Sequence, residues 1–92
     1  MPRATASHIL VSSEKECLDL KAKLDNGAAF DSLAKQYSTC PSGRQGGDLG
    51  EFGPGQMVKE FDEVVFSGEV GKVHGPVKTQ FGYHLLKITK RT

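Results

Sequence analysis

The C-terminal end of the chain reads as a β-hairpin, and no other pattern narrows the available folds as much. Residues 73–78 have the character of one strand, Thr79-Gln80-Phe81-Gly82 of a connection, and residues 83–90 of a second strand. Within that last strand His84, Leu86 and Ile88 share a face. The opposite end of the chain supplies another strand, residues 6–11, partly β-branched and stopped by Ser12 and Ser13. Helical patterns fill the middle. Ser13 followed by Glu16 is a capping box, Cys17, Leu20 and Leu24 fall on one face behind it, and Asn26-Gly27 is the stop. Phe30, Leu33, Ala34 and Tyr37 recur at i, i+3, i+4 and i+7 and mark a second helix ending near Ser38. A third, residues 59–67, has Phe61, Val64 and Val65 on one face.

The segment from Cys40 to Gly55 is glycine-rich, which suits a flexible linker. Leu49 and Phe52 lie within it, however, and too little chain follows for a separate domain. It reads better as an ordered loop, with a very short strand at 49–52. The order is then β-α-α-β-α-β-β: an α+β domain with an antiparallel sheet, not a βαβ nucleotide-binding fold. At 92 residues the chain suffices for a single domain, 1–92, with a small core.

Charge excludes several function classes. Twelve Lys and Arg against eleven Asp and Glu leave a formal net charge of +1. That balance supports neither a nucleic-acid-tracking surface nor a polybasic membrane patch. No apolar run approaches the ~18 residues needed to cross a bilayer, and the opening residues lack a signal core. A cytoplasmic monomer is expected, with Cys17 and Cys40 as reduced thiols.

Function is sought where local rules fail. His8 is in phase with Ala6 and Leu10, and His84 with Leu86 and Ile88. Each is a polar ring on an otherwise apolar face. A lone histidine there is usually a core residue satisfied by one hydrogen bond. Two of them, in the first and last strands, share one pocket if those strands are neighbours. Cys40 follows a helix end and opens the glycine loop, so it is either an inert small hydrophobe or a thiol facing a pocket. Cys17, on a helix's apolar face, reads as inert. Leu49, Met57 and Phe61 read as core or as the lining of an apolar pocket. Phe81 is a large aromatic in a turn that does not need one, which points to contact with a pocket or ligand. His74 reads as a solvent-facing residue in a glycine-flanked turn.

Three segments together resemble the parvulin family of peptidyl-prolyl cis/trans isomerases: Ser7-His8-Ile9-Leu10-Val11, Gly46-Gly47-Asp48-Leu49-Gly50-Glu51-Phe52, and Phe81-Gly82-Tyr83-His84-Leu85-Leu86-Lys87. They occur in the family's order across nearly the whole chain, which looks most like a small stand-alone bacterial parvulin. The resemblance implies a four-stranded antiparallel sheet surrounded by helices. It implies His8 and His84 side by side at the floor of the site, with Cys40 and Thr79 as polar neighbours. Leu49, Met57 and Phe61 match the positions that cup the substrate proline, and Phe81 a position at the pocket wall. Proline-containing peptides and unfolded or nascent proteins are the implied partners, with no cofactor and no metal.

The Pin-type members carry a long basic loop after the first strand that grips a phosphate. Here the connection is Ser12-Ser13-Glu14-Lys15-Glu16, without an arginine cluster, which argues against phospho-specificity. Three other readings compete: a proline-binding holdase or adaptor without turnover, a metal site from His8, Cys40 and His84, and a thiol redox protein. The spacing matches no compact metal motif, and there is no Cys-x-x-Cys.

Overall fold

A computed structural model describes residues 3–91. Its elements are β1 (Ala4–Val11), α1 (Glu14–Asp25), α2 (Phe30–Tyr37), a 3₁₀ turn (Pro41–Gln45), β2 (Asp48–Phe52), α3 (Lys59–Val65), β3 (Val73–Thr79) and β4 (Gly82–Arg91). The strands form one antiparallel sheet in the order β2-β1-β4-β3. The first and last strands are therefore the central pair. The expected α+β architecture holds. β1 starts two residues earlier than its β-branched stretch, because Ala4 and Thr5 are paired on both sides, with β2 and with β4. Tertiary pairing there overrides weak intrinsic strand preference.

Local chemistry explains the helix ends. Ser13 caps α1, its Oγ accepting from the Glu16 N–H at 3.2 Å. Gly27 follows α1 at φ 100°, the left-handed stop that Asn26-Gly27 signals. α3 is tethered at its C-terminal end by Arg91 of β4, whose guanidinium donates to the Val65 and Gly68 carbonyls at 2.8 and 2.5 Å. The 3₁₀ turn falls within the glycine-rich segment, whose composition indicates only a loop.

The two faces of the sheet bury different material. Ile9, Val11 and Leu85 face α1 and α2 and pack on Cys17, Leu20, Phe30, Leu33 and Ala34. Ala4 and Ala6 face the other way, toward Phe52 and Val65. His8 and His84 belong by strand alternation to this second face. β2 pairs β1 only between Ala4 and Ser7. The remainder of that edge is closed by loops. The His8 N–H donates to the Gly47 carbonyl at 2.9 Å, the Leu10 N–H to Ser38 Oγ at 3.1 Å, and the Thr39 N–H to the Leu10 carbonyl at 2.9 Å. β3 is the opposite edge and accommodates Pro76, which a central strand would not.

One residue lies elsewhere than its neighbours in sequence indicate. His74 is not in a solvent-facing turn. It is a half-buried residue of β3, opposite Leu86 of β4, with its Nε2 2.9 Å from the Glu69 carbonyl oxygen. The adjacent Gly75 is part of the strand, not of a turn.

Candidate active site

Strand register brings the two histidines together. His8 lies opposite Leu86, and His84 lies opposite Leu10, so they are diagonal neighbours on one face of the central pair. Their Nδ1 atoms are 3.2 Å apart and their ring planes differ by 17°. The nitrogens approach more closely than the ring centres, at 5.4 Å, so the rings meet edge to edge. Thr79, at the end of β3, closes the other side of His84: its Oγ1 is 2.7 Å from His84 Nε2 and accepts from the Phe81 N–H at 3.2 Å. Phe61 of α3 stands edge-on to both rings, 5.5 Å from the centre of His8 and 4.6 Å from that of His84.

Two glycines allow the backbone to pass close to these residues. Gly47 has φ 84°, and a Cβ there would run into the carbonyl oxygen of His8. Gly75 has φ 140°, and a Cβ would lie 2.7 Å from the carbonyl oxygen of His84. Each supports the strand segment that holds one of the rings.

His8 and His84 are 4% and 3% exposed. Burial pulls the His8 pKa down from 6.5 to about 4. Burial does the same to His84, reinforced by the nearness of His8. A contact between two Nδ1 atoms needs one proton, so one ring donates and the other accepts. Two imidazolium rings would have no acceptor between them and would repel in a poorly solvated site. At neutral pH the pair is uncharged.

Above the rings lies a cleft of about 400 Å³. Leu49, Met57 and Phe61 form its apolar walls, Cys40 borders it, and His8 and His84 form its floor. Phe81 stands at the mouth, 63% exposed at the tip of the β3–β4 turn. The segment carrying Met57 is anchored on α3: the Gly55 N–H donates to Asp62 Oδ2 at 2.6 Å, and the Gly53 N–H to Gln56 Oε1 at 2.8 Å. Cys40 arrives through Ser38 and Thr39, which are stitched to the backbone of Leu10.

The expected residues converge, with one difference in placement. Thr79 does not line the cleft. It is buried behind His84 and touches that ring. Leu10 and Val58 also line the cleft, beyond the residues that the sequence pattern points to. Leu10 shares the phase of His8, so the signal was present. Cys17 is buried in α1, where burial pushes its thiol up to about 11. Among the described residues no three His, Cys, Asp or Glu side chains are arranged to hold a metal ion.

Comparison with known proteins agrees with this geometry. The PPIC-type PPIase domain profile matches residues 2–92. The chain is 55% identical over 91 residues to the foldase protein PrsA of Geobacillus kaustophilus, covering 98% of this chain and 32% of that protein. It thus spans about a third of the curated relatives it matches. Its fold superimposes on the crystal structure of the peptidylprolyl isomerase PrsA from Bacillus anthracis with a TM-score of 0.96 at 44% identity, covering 99% of this chain and 42% of that one. It matches the solution structure of NmPin, the parvuline of Nitrosopumilus maritimus, with a TM-score of 0.86 at 42% identity, covering 96% of each chain.

Proposed function

The chain belongs to the PPIC-type peptidyl-prolyl isomerases, the parvulins, and from that membership we propose that it accelerates cis/trans rotation of X-Pro bonds in unfolded polypeptides and so assists folding. The observation that carries the proposal is the uncharged His8–His84 pair at the floor of an apolar cleft.

Rotation about an X-Pro bond crosses a barrier of about 18–20 kcal/mol, set by amide resonance. In the twisted transition state resonance is lost, the carbonyl is less polar and the proline nitrogen more basic. An apolar, poorly hydrated cleft suits that state better than the planar, more dipolar amide. The proline ring rests against Leu49, Met57 and Phe61 while the preceding carbonyl turns above the histidines. Because both rings are neutral, the floor presents no cation to hold the planar carbonyl. Lowering the barrier by ~6 kcal/mol would give about 10⁴-fold acceleration. His8, His84 and Cys40 set the polarity around the rotating carbonyl, and Thr79 is a positioning residue that acts through His84.

The proposal extends to selectivity. β1 ends at Val11 and α1 begins at Glu14, and Ser13 of the short connection is engaged in capping. Ser12 and Ser13, the two residues between β1 and α1, supply no basic side chain for a phosphate, so clients need no phosphorylation. NMR exchange on a short peptide with a single X-Pro bond, with and without the protein, tests the central claim. Faster exchange without added metal or nucleotide is expected. An unchanged rate with folded protein at micromolar concentration overturns it in favour of a proline-binding holdase or adaptor.

A further inference from the structure

A second hollow adjoins the proline cleft, and the two share a wall. Thr39, Cys40 and Pro41 border both. The second hollow encloses about 510 Å³, and its chemistry is different. Lys35 of α2 and Arg44 of the 3₁₀ turn line it, and no carboxylate does. Among the described residues neither cation joins an ion pair or a side-chain hydrogen bond. Asp31, one turn before Lys35 on α2, lines a separate groove with Gly46. The C-terminal end of α2 carries partial negative charge, which Lys35 in its last turn offsets. Arg44 comes from a different element and leaves the hollow positive.

We propose that this hollow is a substrate subsite for the carboxylate of an Asp or Glu side chain lying two or three residues from the isomerised proline. The inference rests on the isomerase reading above and deepens it. A chain whose proline sits against Leu49, Met57 and Phe61, and which leaves the cleft over Cys40 and Pro41, passes next across Lys35 and Arg44. The Arg44 guanidinium suits a two-point grip on a carboxylate, and Lys35 adds a point charge. Both are exposed, so the preference is modest and weakens with salt. This subsite is distinct from the phosphate grip of Pin-type parvulins, which the resemblance places on the loop after the first strand.

The test is NMR exchange on matched peptides with one X-Pro bond, carrying Glu or Gln two or three residues before or after the proline. On one side of the proline, kcat/KM for the Glu peptide should exceed that for the Gln peptide by about three- to tenfold at low salt. The ratio should shrink in about 0.5 M salt, and should fall to about one in a Lys35→Gln/Arg44→Gln protein that melts like the wild type. Equal rates for Glu and Gln peptides on both sides overturn the subsite while leaving the isomerase reading intact. So does a preference that the double variant retains. No acceleration of any peptide overturns the isomerase reading, and the subsite with it.

Discussion

Lowering the pH from 6.5 toward 4 charges His8 and His84 in the unfolded chain before it charges them in the folded one. Unfolded, each ring titrates near 6.5; folded, near about 4. Between those values the unfolded state binds more protons, so stability falls as pH falls through the window and gains nothing further above 6.5. One pH unit is worth about 1.36 kcal/mol per ring, so the full window amounts to about 3 kcal/mol for one ring. At 4% and 3% exposure, solvent screens little of this. The lowering of His84 depends in part on the charge of His8, so the two losses do not simply add, and the pair loses between about 3 and 6 kcal/mol by pH 4. A domain of this size has about 5–10 kcal/mol in all. Urea unfolding followed by circular dichroism from pH 7.5 to 4 should therefore show stability falling by about 1–2 kcal/mol between pH 6 and 5. The imidazole resonances of His8 and His84 should report neutral rings throughout that interval. Stability flat from pH 7 to 5, or both rings titrating near 6.5, would refute the reasoning.

Three further outcomes follow from the same geometry. His84→Ala removes the partner of His8 Nδ1 and the ring behind which Thr79 is placed, so it should cost about 1–3 kcal/mol and lower turnover; a variant that melts like the wild type would show the pair is not structural. Cys40 borders the cleft without being needed as a nucleophile, since the reaction breaks no covalent bond; folded Cys40→Asp should keep much of the turnover and Cys40→Ala an intermediate amount, whereas loss of several orders of magnitude in Asp, Ser and Ala variants alike would contradict a purely electrostatic role. A Ser-Pro peptide and its phosphorylated form should exchange at similar rates, or the phosphorylated one more slowly; a strong gain on phosphorylation would contradict the absence of a phosphate grip after β1.

The histidine pair was legible because strand alternation is strict. Residues 8 and 84 each fall in phase with apolar neighbours, and a polar ring at such a position needs a partner. That the two are each other's partner depends on β1 and β4 being adjacent, with His8 opposite Leu86 and His84 opposite Leu10. Periodicity does not contain that register; the family resemblance supplied it. Thr79 was out of reach of periodicity for a related reason. Its hydroxyl meets His84 only because a two-residue turn folds β3 back on β4 with Thr79 opposite Gly82. His74 misled because Gly75 and Pro76 are turn residues by composition, whereas at a sheet edge they break the pairing register and stay within the strand.

The glycines mark where one-dimensional reading stops. Composition identifies Gly47 as permissive, but its position is fixed by the His8 carbonyl that passes where its side chain would be. Gly75 stands in the same relation to His84. The chemistry of the floor is thus carried by side chains visible in the sequence, while its geometry depends on two backbone approaches that only the folded chain displays. A side chain at either glycine would press on the strand that holds a ring, so the glycine loop and the edge strand belong to the site as firmly as the histidines do.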